Sequence, residues 1–278
     1  MVSRLLVWVS SVHLCDTHCH LNLNNFENDL EEVIERALLV GVNRILVPGI
    51  NMETNMRAVE LADQHEQIYV AVGIHPNDGL TWMEDTINQL RDMAQHPKVV
   101  AIGEIGLDYY RNRCPQEIQK SIFNDQLLLA AETNLPVIIH NRNAFQDLWP
   151  ILTAWREHIL TINSSLWLRT GVLHSYDGNL PDAREIEQAN FRIGINGPVT
   201  FKNAQDRHQV AAGIAENSLI LETDAPFLTP HPHRGKRNEP SFVLHINSKI
   251  AALRGISAEQ LAQITSQNAD KLFLWRAA

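Results

Sequence analysis

His18 and His20 stand two residues apart at the end of a short apolar run, in Asp16-Thr17-His18-Cys19-His20-Leu21. Residues two apart on an extended chain face the same side, and two neutral imidazoles on one face suit a divalent cation. A solvent-facing pair at a sheet edge is the plainer alternative, and the apolar surroundings weigh against it. Glu104 closes the run Val99-Val100-Ala101-Ile102-Gly103-Glu104, where a lone buried carboxylate is costly. Cations would satisfy it, and its two oxygens can bridge two of them; a salt bridge to an arginine would serve it equally well taken singly. His140, His174 and Asp224 end three further apolar runs. Each alone is more often a hydrogen-bonded core residue, but convergence of all six on one rim is hard to reconcile with accident. Four histidines, a glutamate and an aspartate exceed the needs of one tetrahedral zinc with an open position. They suit two divalent cations, a pair that can clamp a phosphate and generate hydroxide from water near neutral pH. His75 is the additional histidine. Pro76 after it restricts its backbone to extended geometry, which suits a substrate contact or a proton shuttle, with packing as the alternative.

The elements that must position these residues are legible as a series. Short apolar runs begin near Leu14, Val42, Ile68, Val99, Leu135, Gly171, Phe191 and Leu219, spaced by about 29 residues, the length of one βα unit. Segments of helical periodicity lie between them, near 28–40, 53–65, 82–96, 116–133, 143–158, 181–190 and 203–216. Two more helices, 241–253 and 257–273, read as appended to the C-terminus, and the second opens with a capping box of Ser257 and Gln260. Eight strand–helix units predict an α/β fold, a (β/α)8 TIM barrel in a single domain over 14–278, after an N-terminal extension over 1–13. An open doubly wound sheet would place a glycine-rich phosphate turn after its first strand; His18-Cys19-His20 stands there instead. In a barrel the active site lies at the C-terminal ends of the strands, and six of the eight runs deliver a histidine or carboxylate to that rim.

Composition narrows the function classes. Of the 278 residues 45% are hydrophobic and 20% charged, with a net charge of −9, enough for a large core and wrong for a disordered chain. The acidic balance argues against a general nucleic-acid coat protein, though not against an enzyme with a local basic patch. Three cysteines, Cys15, Cys19 and Cys114, form no disulfide framework and suit a reducing compartment. Arg4 before Leu5-Leu6-Val7-Trp8-Val9 resembles the start of a signal peptide, but no small-x-small cleavage site follows. Leu14 before Cys15 is too bulky for a lipoprotein site. A cytoplasmic protein without a membrane span, a monomer with no obligate protein partner, is expected.

The joint pattern resembles the TatD-type metal-dependent deoxyribonucleases of the amidohydrolase superfamily. The resemblance rests on Asp16-Thr17-His18-Cys19-His20-Leu21, Gly73-Ile74-His75-Pro76, Gly103-Glu104-Ile105-Gly106-Leu107-Asp108-Tyr109-Tyr110 and Pro136-Val137-Ile138-Ile139-His140-Asn141-Arg142. It rests also on Thr200-Phe201-Lys202-Asn203-Ala204, Leu221-Glu222-Thr223-Asp224-Ala225-Pro226 and His233-Arg234-Gly235-Lys236-Arg237-Asn238-Glu239-Pro240. It implies a barrel with two divalent metal ions, whose ligands are His18, His20, Glu104, His140, His174 and Asp224, with Glu104 bridging. It also implies hydrolysis of DNA phosphodiester bonds, often from a 3′ end. Two departures stand out. The segment at His174 reads His-Ser-Tyr-Asp-Gly where the family usually has His-Cys-Phe-Ser-Gly, which places Asp177 near the rim, and Asn77 follows Pro76 where many members carry another histidine.

Asp224 and Glu104 are the expected catalytic residues, with Asp224 as base to the attacking water. Arg142, two residues past His140, can donate two hydrogen bonds to a phosphate, and Arg111 extends that side. Arg234, Lys236 and Arg237 belong to the strongest basic cluster of an acidic chain, 231–237, after the eighth strand, where barrels often bind phosphate. DNA or another phosphoester is the expected substrate, and mixed imidazole and carboxylate ligands admit Mg, Mn, Zn or Fe. Two other classes remain open at this point: a non-nucleic amidohydrolase acting on a lactone, amide or phosphoester, and a catalytically silent metal-binding scaffold or nucleic-acid-binding module.

Overall fold

The computed structural model describes residues 13–111, 113–162 and 164–275; most of the extension expected over 1–13 lies outside them. Eight parallel strands follow one another around the sheet in chain order: β1 (Leu14–Asp16), β2 (Val42–Pro48), β3 (Ile68–Val72), β4 (Val99–Asp108), β5 (Val137–Arg142), β6 (Gly171–Leu173), β7 (Phe191–Ile195) and β8 (Leu219–Leu221). Closure comes just beyond β1 and β8, where the Thr17 N–H donates to the Leu221 carbonyl (3.1 Å) and Cys19 pairs in parallel with Ala225. The expected barrel is the observed one. Helices α1 (Leu30–Leu39), α2 (Met52–Gln64), α3 (Thr86–Met93), α4 (Gln116–Thr133), α5 (Phe145–Thr161), α6 (Leu180–Gln188), α7 (Gln205–Gly213) and α8 (Val243–Arg254) each follow one strand, and α9 (Ala258–Phe273) comes last. The C-terminal expectation is therefore corrected by one helix: α8 completes the eighth βα unit and only α9 is additional.

The side-chain alternation of the strands decides what reaches the site. Leu46, Tyr69, Ala71, Val100, Ile138, Val172 and Ile220 form one buried cluster with Leu272 and Phe273 of α9. Outward partners such as Ile45, Val47, Ile139, Leu173 and Leu221 belong to the larger core under the helices. With a period of two, the inward row continues from Ile138 to His140, from Val172 to His174, and from Ile220 to Glu222 and Asp224. The apolar lower half of the barrel and the polar upper half are thus one alternation read along the same strands.

The opposite end of the barrel is closed by the end of α9. The Trp275 ring lies 4.6 Å from that of Tyr69 and 4.9 Å from that of Phe273, and Arg44 pairs with Asp270. The Ser257 capping box forms as expected: the Gln260 N–H donates to Ser257 Oγ (3.1 Å) and the Ser257 N–H to Gln260 Oε1 (3.0 Å).

Candidate active site

His140 and His174 continue their strands, and the other candidate ligands arrive by local devices. β1 ends at Asp16, so His18 and His20 lie past the regular strand on a segment tied to both neighbours. The Cys19 N–H donates to Leu46, His20 to Ala225, and the Asp224 N–H to the His18 carbonyl. Glu104 lies in the middle of β4, where the register with β5 shifts between Ile102 and Ile105, and such an irregularity re-aims a side chain. Its N–H donates to the Gly49 carbonyl (3.0 Å). Asp224 takes a left-handed backbone (φ 59°), which turns the chain sharply after β8.

The structure brings all six together in a buried cluster. His18 Nε2 and His20 Nε2 are 3.2 Å apart, and Glu104 Oε2 is 3.4 Å from the first and 3.6 Å from the second. Asp224 Oδ1 completes this group at 3.9 and 3.6 Å. The other glutamate oxygen, Oε1, faces His140 Nδ1 at 2.7 Å and His174 Nε2 at 2.9 Å. Donor atoms bonded to a common cation at about 2.1 Å stand roughly 3.0–3.4 Å apart in octahedral or tetrahedral arrangement. The donor set, imidazoles and carboxylates converging from several strands, suits divalent cation binding, and His18, His20 and Asp224 offer one group of ligand atoms close enough to share an ion. Without cations these groups must share protons. Burial and the His174 charge hold His18 well below the ordinary imidazole value. His174 is driven the other way, up to about 10, because Glu104 outweighs the burial that opposes its charge.

Hydrogen bonds also fix which nitrogen faces the centre. His140 Nε2 meets Asp108 Oδ2 at 3.2 Å and Nδ1 meets Glu104 Oε1; with a cation in place of the Nδ1 proton, Asp108 would hold the remaining proton on Nε2, the usual way a carboxylate orients a metal-binding histidine. Burial disfavours the Asp108 charge, but hydrogen bonds from His140, the Arg111 N–H and Asn77 hold this carboxyl below its ordinary value. Asn77 Nδ2 supplies one of them at 2.9 Å. The Asn77 N–H also donates to His75 Nδ1 (3.0 Å). That leaves the neutral His75 with its proton on Nε2, which points toward Glu104 Oε1 at 3.6 Å. Burial and the neighbouring His140 push His75 down to about 3. It faces the centre as a hydrogen-bond donor, although its ring lies close enough to Glu104 and His140 to complete a ligand triplet.

Three acidic residues, Asp16, Asp108 and Glu222, belong to the site although the sequence reasoning assigned them no role. Asp16 accepts from Thr223 N–H (2.8 Å) and Thr223 Oγ1 (2.5 Å), latching β1 to the segment after β8; burial raises it to about 7. Glu222 accepts from the Ser175 N–H (2.5 Å), and its Oε1 lies 3.7 Å behind His174 Nδ1. Burial raises it to about 8. Gly194 makes room for it, since a Cβ there would come within 2.3 Å of the Glu222 carboxylate. The alternation Ile220, Glu222, Asp224 was the available signal for Glu222.

The basic residues disperse over the rim. The Arg142 guanidinium lies over the Tyr110 ring at 4.1 Å; Arg111 is exposed beside them. Arg234 covers the Phe201 ring at 4.4 Å, and Lys236 is exposed nearby. Arg237 departs from its expected role: both ends of its guanidinium are committed to Asp29 (2.7 Å each), and Nη1 also donates to the Asn25 carbonyl. It ties the loop after β8 to the start of α1. A cleft of about 310 Å³ beside that loop is lined by Asn22, Asn24, Glu53 and Arg57 among others and includes none of the six candidate ligands.

Comparison with known proteins agrees with this architecture. The family model described as "TatD related DNase" matches residues 15–274. The uncharacterized metal-dependent hydrolase YabD of Bacillus subtilis is 45% identical over 260 residues, covering 94% of this chain and 98% of its own. The 3′-5′ ssDNA/RNA exonuclease TatD of Erwinia tasmaniensis is 37% identical over 264 residues, covering 93% and 98%. The crystal structure of the TatD homologue YjjV from Escherichia coli superposes with a TM-score of 0.86 at 32% identity, covering 94% of this chain and 98% of that one. With the family model spanning nearly the whole barrel and relatives of this identity matching end to end, the chain belongs to the TatD-related DNase family of metal-dependent hydrolases.

Proposed function

We propose that this protein removes nucleotides from the 3′ end of DNA, hydrolysing phosphodiester bonds at a centre that holds two divalent cations (Mg, Mn or Zn). The observation that carries the reading is the division of Glu104: one oxygen faces His18 and His20, which Asp224 also meets, and the other faces His140, His174 and, farther off, His75. His18, His20 and Asp224 would hold one cation and His140 and His174 the other, with Glu104 between them. Cations held there would neutralise charge on the phosphate and supply a water that ionises near neutral pH. Asp224 takes the proton of the attacking water. As the new oxygen–phosphorus bond forms, the bond to the leaving oxygen breaks, and that oxygen takes up the proton that Asp224 received. His75 Nε2–H donates a hydrogen bond to a phosphate oxygen, and Arg142, Arg111, Arg234 and Lys236 draw the polyanion to the rim.

The 3′ polarity and the nucleic-acid substrate are supported by the Erwinia relative, a 3′-5′ ssDNA/RNA exonuclease. Three free, buried cysteines suit a reducing cytoplasm, where the protein would act as a monomer, and among the described residues no helix is long and apolar enough to cross a membrane.

The test is cleavage of 3′- and 5′-labelled single- and double-stranded DNA, with metal titrated back after chelation. Metal-dependent shortening from the 3′ end is expected. Absence of cleavage alongside turnover of a lactone or amide panel would overturn the nuclease reading. Asp224→Asn at saturating metal should lower kcat by about 10²–10⁴-fold, the usual worth of a general base; full activity in that variant removes Asp224 from the role.

A further inference from the structure

The segment after Asp224 is held from several sides yet presents apolar surface to solvent. The Phe227 N–H donates to the Asp224 carbonyl at 2.8 Å, and the Asn238 N–H to the Pro226 carbonyl at 3.1 Å. Asn238 Nδ2 donates to both Phe227 O (2.6 Å) and Thr223 O (2.9 Å). The Leu228 carbonyl lies against Gly197, where a Cβ would come within 1.8 Å of it. On this fixed backbone Phe227 remains 51% exposed and Leu228 40% exposed. The Phe227 ring stands edge-to-face with His20, centroids 6.1 Å apart.

An exposed ring beside a buried polar centre is open to a ligand, whereas two other aromatic residues of this rim already carry a guanidinium. Tyr110 carries Arg142 on one face and Phe201 carries Arg234. Among the described residues no lysine or arginine covers Phe227. The Erwinia relative is an exonuclease of single-stranded DNA and RNA, whose bases offer flat apolar faces, and base–aromatic stacking tolerates any sequence because every base has such a face.

The geometry points to Phe227 as the platform on which an unpaired base stacks, the base of the nucleotide next to the bond that is cut. This rests on the phosphodiesterase reading above and adds a residue that discriminates between strands. A base reaches this ring only when splayed from its neighbours, so paired ends must fray before they are cut. Phe227 is a binding residue here: the ring sets how long the nucleotide stays.

The test uses the metal-loaded enzyme with two short single-stranded oligonucleotides, one normal and one lacking the base at the terminal position. Cleavage gives KM and kcat, and anisotropy with phosphorothioate-linked versions gives binding without turnover. The wild type should favour the base-bearing strand, and Phe227→Ala should raise KM and Kd for it by about 5- to 100-fold, bringing the ratio between the two strands towards one. Phe227→Trp should restore the ratio. If Phe227 served only to orient His20, Phe227→Ala would lower kcat for both strands alike and leave their ratio intact, which overturns the proposal. Cleavage with no preference for the base in the wild type overturns it while the nuclease reading stands. Base-dependent binding without cleavage upholds the platform and overturns the hydrolysis. Neither binding nor cleavage overturns both.

Discussion

Asp108 shows how much of this site is decided by residues that touch no substrate. It accepts from His140 and Asn77 on one oxygen and from the backbone of Tyr110 and Arg111 on the other. With a cation bound, that network assigns the His140 tautomer and fixes the ring. Asp108→Asn should therefore weaken metal binding by about 10- to 100-fold, measured by metal titration of the chelated protein, and excess metal should restore much of the activity. A variant that binds metal as tightly as the wild type would show that His140 is oriented by packing alone. Asn77 has a related use in this chain. Where many family members carry a second histidine, the Asn77 side chain donates to Asp108, while the bond to His75 comes from its backbone N–H. Of the sequence's candidates, the other five expected ligands meet around Glu104, while Arg237 is drawn away by Asp29, whose two carboxylate oxygens match its planar fork.

At the scale of the element, alternation on the strands aimed part of the site, and a side-chain N-cap opens three of the described α-helices, α2, α6 and α9. His140 and His174 each continue an inward row begun by an apolar residue lower on the same strand, so strand periodicity alone was enough to aim them, whereas Asp224 lies beyond β8 and also takes a left-handed backbone. His18, His20 and Glu104 needed more: a tied segment beyond β1 and a register shift in β4, neither of which has a signature in residue type. The capping box of α9 was fully legible, because its bonds run between residues three apart. Ser257→Ala should lower stability by about 1 kcal/mol, read as a shifted urea midpoint with unchanged slope. The consequence extends beyond one helix, since α9 carries the residues that close the barrel beneath the site. No loss of stability in that variant would mean that α9 is held by its buried face alone.

Across the whole molecule, the rim is tied together by charges distant in sequence. Arg237, from the loop after β8, pairs with Asp29, and Arg36 bridges Asp29 to Glu239. The Arg237 hydrogen bond lowers Asp29. At Glu239, burial opposes the charge but Arg36 outweighs it, so this carboxyl is lowered too. A carboxylate depressed in the folded state stabilises it above the unfolded value and loses that contribution as pH falls through the folded value. The stability advantage of wild type over Asp29→Asn should thus be present at pH 7, persist down to about pH 4, and disappear below it. Denaturant titrations at several pH values would show it, and an advantage that does not change with pH would remove the ion pairs from the account. Being partly exposed, the pairs should also weaken in high salt.

The amino-acid sequence by itself determined the repeat of eight strand–helix units, the rim to which the six candidate ligands would be delivered, and the family. These follow from local periodicity and from residues within one short segment. Tertiary structure alone decided that each Glu104 oxygen faces a different set of ligands, that Asp16 latches the ends of the barrel through Thr223, and that Glu222 stands behind His174. It decided likewise that α8 belongs to the barrel and only α9 is extra, and that Phe227 stands exposed beside His20 while Arg237 is paired away. Each of these joins atoms from segments far apart in the chain, and such a contact is specified by how strands register and loops close rather than by any pattern along the sequence.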